Sequence, residues 1–561
     1  MRLEVEFALS PLPGGADHLN RLRTRYSAGG ECCLVKGEPV AGLKILLAAS
    51  EVVGFAKTGG LADVAGALPR ALARLGNQVA VIMPFYNAVR KSKQKIEKSE
   101  VVLPVPHGDR VLACRLYRST LPNSSVPIYF VEHAPFFERD DTATGKGLYQ
   151  TAMPGGYKSD YPDNAERYIF FCKAVLEAAT RLGFTADVLH LNDWQTGLAA
   201  VMLSEVYRNK PAYARMRSVF TIHNINYQGS FGREVMRLTG LPGWLFNHAQ
   251  LEFHGFLNCM KAGIVFADAV NAVSPTYARE IQSSSEYGCG LEGLLRGLSH
   301  KLCGIVNGVD YDEWNPATDR RIAATYDVDS VFEKKPLCKA DLQRRFKLAE
   351  KPNAPVLGVV ARLVSQKGID LILSAAPGFL DLGCQIVVLG EGDPEFHHQL
   401  RGFLARHPHQ GGLLLGYNED LAHAIEAGSD LFLMPSRYEP CGLNQIYSQK
   451  YGTPPVVRST GGLADTVVNA TEENLAAGIA TGFSFDAYSA SALYNTVKWA
   501  LTLYRDRPED FQQVMQTAMR QDWSWDRSAE AYEALYRKVL AEGDSTATPR
   551  TPSRPDLISS K

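Results

Sequence analysis

At 561 residues, 45% hydrophobic and 21% charged, the chain is too long for one ordinary core and has a globular composition. Its 59 basic residues nearly cancel 60 acidic ones, for a net charge of -1. That balance excludes the basic excess of a nucleic-acid binder and gives no reason to expect a membrane-surface protein. Ten cysteines run from Cys32 to Cys441 without a C-x-x-C pair, and Cys32 and Cys33 are adjacent. Reduced thiols, not a disulfide framework or a zinc ribbon, are the expectation. The first twenty residues carry Glu4, Glu6 and Asp17, unlike a signal or transit peptide, and no apolar run reaches the eighteen residues of a membrane span. A cytoplasmic protein is expected.

Residues 1–41 have little periodicity. Short, nearly continuous apolar runs then begin: "LKILLAA" (43–49), "QVAVIMPFY" (78–86), "VPIYFVEH" (126–133), "ADVLHLND" (186–193) and "RSVFTIHN" (217–224). Such runs suit parallel strands covered on both faces. Between the first two, Val64, Leu68, Leu72 and Leu75 take helical spacing and predict a helix over 62–75. The second half repeats the theme with "APVLGVVAR" (354–362), "CQIVVLGEG" (384–392), "GGLLLGYN" (411–418), "SDLFLMPS" (429–436) and "PPVVRST" (454–460). The pattern predicts two doubly wound α/β domains, divided within the charged stretch 314–355. We take the domains as 42–315 and 316–510, and residues 542–561 as a disordered tail.

The six letters TGGLAD occur twice, at 58–63 and 460–465, each time between a predicted strand and a helix. Glycines there allow close backbone approach to an anion at a helix N-terminus. A single copy is equally well explained as a tight turn; two copies in matching places favour a shared cleft. Lys57 adds a charge beside Gly59 and Gly60, and Thr460 a hydroxyl beside Gly461 and Gly462. Arg362 and Lys367 follow a predicted strand five residues apart and could meet one anion, although exposed surface is the commoner fate of such a pair. Glu439 precedes a turn, Pro440–Gly442, that opens a helix at Leu443; its carboxylate could accept hydroxyl hydrogen bonds or stabilise a cationic centre. Cys441 has no His–Asn arrangement beside it and reads as packing. In the amino half, His190, Asn192, Asp193 and Trp194 end one strand, and His223 and Asn224 another. His190 reads as a satisfied core histidine, His223 as the better site candidate.

Neither glycine pair is a dinucleotide fingerprint or a P-loop, and Gly390 and Gly392 in "LGEGDPEF" stop short of one. Asp327 and Asp329 form a D-x-D outside any strand end and read as solvated. H-E-x-x-H is absent, so no metal site is predicted.

Together, "KTGGLADVAGALP", "HLNDWQTG", "TIHN", "GIVNGVDYDEWNP", "ARLVSQKG", "YEPCGLNQ" and "GTPPVVRSTGGLADTV" resemble the bacterial glycogen synthase and plant starch synthase family, in family order over roughly 43–540. "SPTYAREI…EYGCGLEGLLRG" is closer to the bacterial members. Asn192 stands where the family more often has histidine. The resemblance implies a GT-B fold, two Rossmann-like domains facing across a cleft, with helices in 511–541 crossing back to the amino domain. It implies retaining transfer of glucose from ADP-glucose to the non-reducing 4-OH of an α-1,4-glucan, with no metal or other cofactor and no nucleic-acid or membrane partner.

By the same resemblance, Lys57, Gly59 and Gly60 face the donor diphosphate from one domain, and Arg362 and Lys367 neutralise it from the other. Thr460, Gly461 and Gly462 add phosphate contacts, and Gly390 and Gly392 lie near the nucleoside. Glu439 binds the donor glucose, with Cys441, Gly442 and Leu443 beside it. His223 lies beside the anomeric carbon and Asp63 near the sugar, with Tyr149, Asn164, Asp193, Trp194 and Asn224 on the acceptor side. Rival readings are a UDP-glucose or small-acceptor transferase, a non-catalytic glucan-binding relative, and a nicotinamide dehydrogenase.

Overall fold

The strand Lys44–Ala48 has Ile45, Leu46 and Leu47 fully buried, because helices cover both faces of the sheet it centres. The computed structural model describes residues 42–140, 147–152 and 158–545. The expectations for residues 1–41 lie outside the described residues. The amino-half sheet has nine strands. From one edge they are Leu302–Gly304, Ala269–Ala272, Arg217–Ile222, Val188–Asn192, Lys44–Ala48, Gln78–Pro84, Pro127–Val131, Arg110–Thr120 and Glu97–His107. The first seven run parallel, and the last two form an antiparallel hairpin on the far edge.

That hairpin adds an antiparallel edge to the doubly wound parallel sheet that the sequence predicts. Pro104 and Pro106 hide it in the sequence, yet they sit on the edge strand, where a missing N–H costs no ladder bond. Leu103, Val105 and His107 still alternate inward.

The carboxyl-half sheet is all parallel: Gly411–Leu415, Gln385–Gly390, Val356–Val360, Leu431–Met434, Pro455–Arg458 and Phe483–Phe485. Its hydrophobic cores gather Leu357, Val359, Phe379 and Leu433, with Ile322 and Tyr326 joining just past the crossover. In each sheet the first strand in chain order has the next strand on one side and a later one on the other, so the connections diverge and a crevice opens at its carboxyl end. These crevices begin at Ala49 and at Ala361.

The first TGGLAD does open a helix, Gly60–Arg74, two residues earlier than the apolar pattern predicts. Val64, Leu68 and Leu72 are fully buried, but Leu75 falls at the C-cap and is 38% exposed, because the helix ends before that turn closes.

The crossing back is also narrower than expected. Helix Pro508–Met519 stays with the carboxyl half, since Phe511, Val514, Met515 and Met519 face its core. Only Trp525–Ser545 crosses: Trp525, Tyr532 and Tyr536 are buried in the amino core, and Arg74 pairs with Asp526 at 2.5 Å. This helix continues to Ser545, into the stretch expected to be disordered; beyond it the tail lies outside the described residues. The two crossover strands run side by side, with the Val309 N–H donating to Trp523 O at 2.8 Å. Among the described residues no helix is long and apolar enough to cross a membrane.

Candidate active site

The first crevice is walled by the loop between strand Lys44–Ala48 and helix Gly60–Arg74. Glu51, 4% exposed, organises it: its carboxylate accepts from the Thr58 N–H, from Thr58 Oγ1 at 2.5 Å, from the Gly59 N–H at 3.2 Å and from the Tyr149 hydroxyl at 2.7 Å. An anionic side chain therefore sits on the N-terminal amides of the helix, where the macrodipole favours it. Gly59 and Gly60 are exposed, and a Cβ on either would meet nothing within 4 Å, so this turn faces open space. Lys57 pairs with Asp63 at 2.7 Å. Burial pushes the Asp63 carboxyl up against the pull of Lys57, with Glu419 and Asp310 adding to the rise.

Deeper in the same wall, Asp193 takes a left-handed φ of 55° at the turn into helix Trp194–Met202, a strained geometry for a residue with a Cβ. Its carboxylate accepts from the His223 N–H at 2.8 Å and from that of Asn224 at 3.5 Å. Burial raises the Asp193 carboxyl to about 7 and lowers the His223 imidazole to about 3. His223 is thus a neutral hydrogen-bonder, with Nε2 against Asn192 Oδ1 at 2.9 Å. His190 is fully buried, with Thr221 and Tyr536 at 2.8 Å on its two ring nitrogens, as a core histidine should be.

The residues assigned to the acceptor side divide. Tyr149 belongs to the Glu51 network. Asn164 is engaged at both ends, donating to Tyr149 O at 2.9 Å and accepting from Arg167 at 2.7 Å. Trp194 packs between Tyr168 and Phe231, 5.0 and 5.7 Å between ring centroids.

Across the cleft, the second crevice presents Arg362, exposed, bonded to Gln366 at 3.1 Å and without a carboxylate partner among the described residues. Lys367 lies in a single 3-10 turn after it and pairs with Glu439 at 2.5 Å, the two side chains 19% and 6% exposed. Ser436 Oγ also donates to Glu439, at 3.1 Å.

The second glycine pair differs from the first. Gly461 has φ 46°, a Cβ on it would collide with Glu439 O, and one on Gly462 with Cys441 O. Gly462 N–H donates to Glu439 O at 3.1 Å. These glycines clamp the Glu439–Cys441 turn. Thr460 Oγ1 and the Gly461 N–H are held by the Glu280 carboxylate, at 2.8 and 3.0 Å. Gly390 and Gly392 likewise let the 390–392 loop lie against Ala361 O and Leu363 O.

The helix predicted from Leu443 begins one residue on, at Asn444, with Gly442 at φ 73° making the turn. Burial raises the Cys441 thiol to about 12, which keeps it an unreactive packing group.

Among the described residues, Glu313, Glu419 and His423 bring ligand atoms within 4.8 Å of one another. Arg321 already pairs with Glu313 at 2.7 Å, and His423 Nδ1 is hydrogen-bonded to Asp319 at 2.7 Å, so two of the three groups already have protein partners. Asp327 bonds its own turn through Ser330, as a solvated carboxylate does.

Glu51 and Glu280 are the residues that sequence reasoning missed. Glu51 stands three residues past a central strand and was open to the same strand-end argument as Lys57. Glu280 carries no sequence signal, because its partners lie 180 residues away.

A family profile described as "Starch synthase catalytic domain" matches residues 44–297, and one described as "Glycosyl transferases group 1" matches 341–517. The chain is 43% identical over 510 residues to the glycogen synthase of Rhodopirellula baltica, covering 89% of this chain and 98% of that one. It is 46% identical over 504 residues to that of Thioalkalivibrio sulfidiphilus, covering 89% and 100%. The solved catalytic domain of Starch Synthase IV from Arabidopsis thaliana, bound to ADP and acarbose, superposes with a TM-score of 0.80 at 31% identity, covering 89% of this chain and 100% of that one.

Proposed function

The chain belongs to the glycogen and starch synthase family of GT-B glycosyltransferases, and from that membership we propose that it extends an α-1,4-glucan with glucose from ADP-glucose, retaining the anomeric configuration. The observation that carries this reading is the pairing of two cation-bearing crevices with one buried carboxylate: Lys57 on one wall, Arg362 and Lys367 on the other, and Glu439 paired with Lys367. The choice of ADP-glucose as donor draws on the ADP bound in the related plant structure.

In this mechanism Arg362, which has no carboxylate partner among the described residues, engages the donor diphosphate first. Lys367 then exchanges Glu439 for a phosphate oxygen, and the released carboxylate accepts hydroxyls of the donor glucose. As the bond from the anomeric carbon to phosphate oxygen breaks, Lys57, Arg362 and Lys367 stabilise the charge growing on the leaving group, so no metal is required. The acceptor 4-OH attacks on the face the phosphate leaves, and its proton passes to a phosphate oxygen. Neutral His223 holds a hydrogen bond near the anomeric centre without adding a second cation there. Closure excludes water, the competing acceptor.

The test is incorporation of labelled glucose into glycogen from ADP-glucose and UDP-glucose side by side, with EDTA present. Incorporation from ADP-glucose alone is expected. Equal or better use of UDP-glucose overturns the donor assignment, loss of activity in EDTA overturns the metal-free mechanism, and no incorporation from either donor favours a glucan-binding role.

A further inference from the structure

One short amino-half helix, Pro275–Glu280, touches the residues on both sides of the cleft. Its Tyr277, fully buried, accepts the Ile225 N–H at 3.0 Å and so holds the loop that follows His223. Further hydrogen bonds near its ends and at its cap reach the carboxyl half. Ser274 Oγ donates to Pro440 O at 2.7 Å. The Thr276 N–H and hydroxyl donate to the two oxygens of Asp465 at 2.8 and 2.7 Å. Glu280 accepts from Thr460 Oγ1 and the Gly461 N–H. The opposing helix, Gly461–Thr466, therefore receives a carboxylate from Pro275–Glu280 at its start and returns one, Asp465, to the start of that helix. Each satisfies one N–H group that a helix alone leaves without an acceptor. Gly461 and Gly462 in turn grip the backbone of Glu439.

We propose that, with the cleft closed for reaction, helix Pro275–Glu280 is the spacer that sets the His223 loop relative to Glu439, and that Asp465, Glu280 and Tyr277 are positioning residues for glucosyl transfer. None of the three needs to touch substrate. The bonds of Asp465 and Glu280 span the halves, that of Tyr277 ties the helix to the His223 loop, and displacing either end by about 1 Å takes reacting groups out of line, an error that costs on the order of a hundredfold in rate. This inference rests on the reading of His223 and Glu439 as reaction-centre residues.

The variants Asp465→Ala, Glu280→Ala and Tyr277→Phe test it, with Asp465→Asn as the conservative control. Each is assayed for thermal unfolding, ADP affinity, kcat, the ratio of ADP-glucose hydrolysis to transfer, and amide exchange at Ile225. The spacer predicts that Asp465→Ala lowers kcat about thirtyfold or more and raises the hydrolysis-to-transfer ratio, with ADP affinity kept within about threefold. Asp465→Asn recovers part of the rate. Exchange at Ile225 accelerates at least about tenfold in Asp465→Ala, although that residue lies in the other half. Should Asp465→Ala fail to fold, Tyr277→Phe, which removes one hydroxyl, is held to the same kcat and exchange criteria.

Normal kcat and an unchanged hydrolysis ratio in folded variants overturn the proposal, as does a uniform loss that merely tracks stability. If the wild-type protein transfers no glucose, the functional reading fails by itself. The spacer is then judged by exchange, and Ile225 protection unmoved by Asp465→Ala overturns it.

Discussion

Lys367 and Arg362 sit five residues apart in sequence, but their surroundings predict different mutant behaviour. Arg362 is exposed and bonds the neutral Gln366, with no carboxylate partner among the described residues, so Arg362→Ala should lower kcat about a hundredfold or more while shifting the unfolding free energy by less than about 0.5 kcal/mol. Lys367→Ala strands the buried Glu439 carboxylate and should cost about 2 kcal/mol of stability in addition to its catalytic loss. Paired kinetics and urea melts decide this; equal stability of the two variants would show that the Lys367–Glu439 pair adds nothing to the fold.

Asp193, His223 and His190 give the pH dependence. Folded Asp193 keeps its proton to about 7, whereas the unfolded group loses it near 3.8, so this carboxyl removes stability as pH rises through that window. The two histidines act oppositely: they protonate near 6.5 when unfolded but only at about 3 when folded, so the stability they preserve is full above 6.5 and lost as pH falls toward 3. Asp193→Asn should therefore gain on the wild type by ~2 kcal/mol between about pH 5 and about pH 8 in urea unfolding. A pH-independent offset between the two proteins counts against the raised carboxyl.

At the scale of elements, the repeated TGGLAD opens a helix in both halves, but its backbone and its packing differ: Gly59 is extended and Gly461 left-handed. Around Gly59 and Gly60 there is room; around Gly461 and Gly462 there is the backbone of the Glu439 turn. Gly461→Ala combines a left-handed φ of 46° with a collision against Glu439 O, and should destabilise by ~3 kcal/mol or more. Gly60→Ala should fold normally and act only on donor binding, read as a raised KM for the nucleotide sugar. Equal destabilisation by both substitutions would contradict the distinction. The pattern that predicts the two turns is local, a buried strand followed by small residues. What fills the space beyond each turn belongs to another part of the chain.

In the whole molecule, the chain leaves the amino half near Val309, builds the carboxyl half, and returns beside its own exit to lay helix Trp525–Ser545 on the first core. Tyr536 on that helix bonds His190 at 2.8 Å and Tyr532 bonds Asn271 at 2.9 Å, both deep in the amino half. Tyr536→Phe leaves a buried imidazole nitrogen without its partner and should cost about 1–2 kcal/mol. Removing residues 525–545 should expose the amino core and give an aggregating protein, measured by light scattering; a monodisperse, fully folded truncation would show that the return helix is dispensable.

The order of buried strands, the two α/β halves, the strand-end placement of Lys57, Arg362, His223 and Glu439, and the family itself were readable from the sequence, because each depends on periodicities and short motifs within a few residues. The edge hairpin was hidden by two prolines whose cost vanishes only at an edge, which is a fact of strand order. The tertiary structure alone decided that Glu51 and Glu280 occupy the amides at the two TGGLAD turns, that one glycine pair is open and the other packed, and that Asp193 holds a proton near neutral pH. These outcomes depend on which groups approach through space and how much water burial removes from them, and neither is written in a local stretch of sequence.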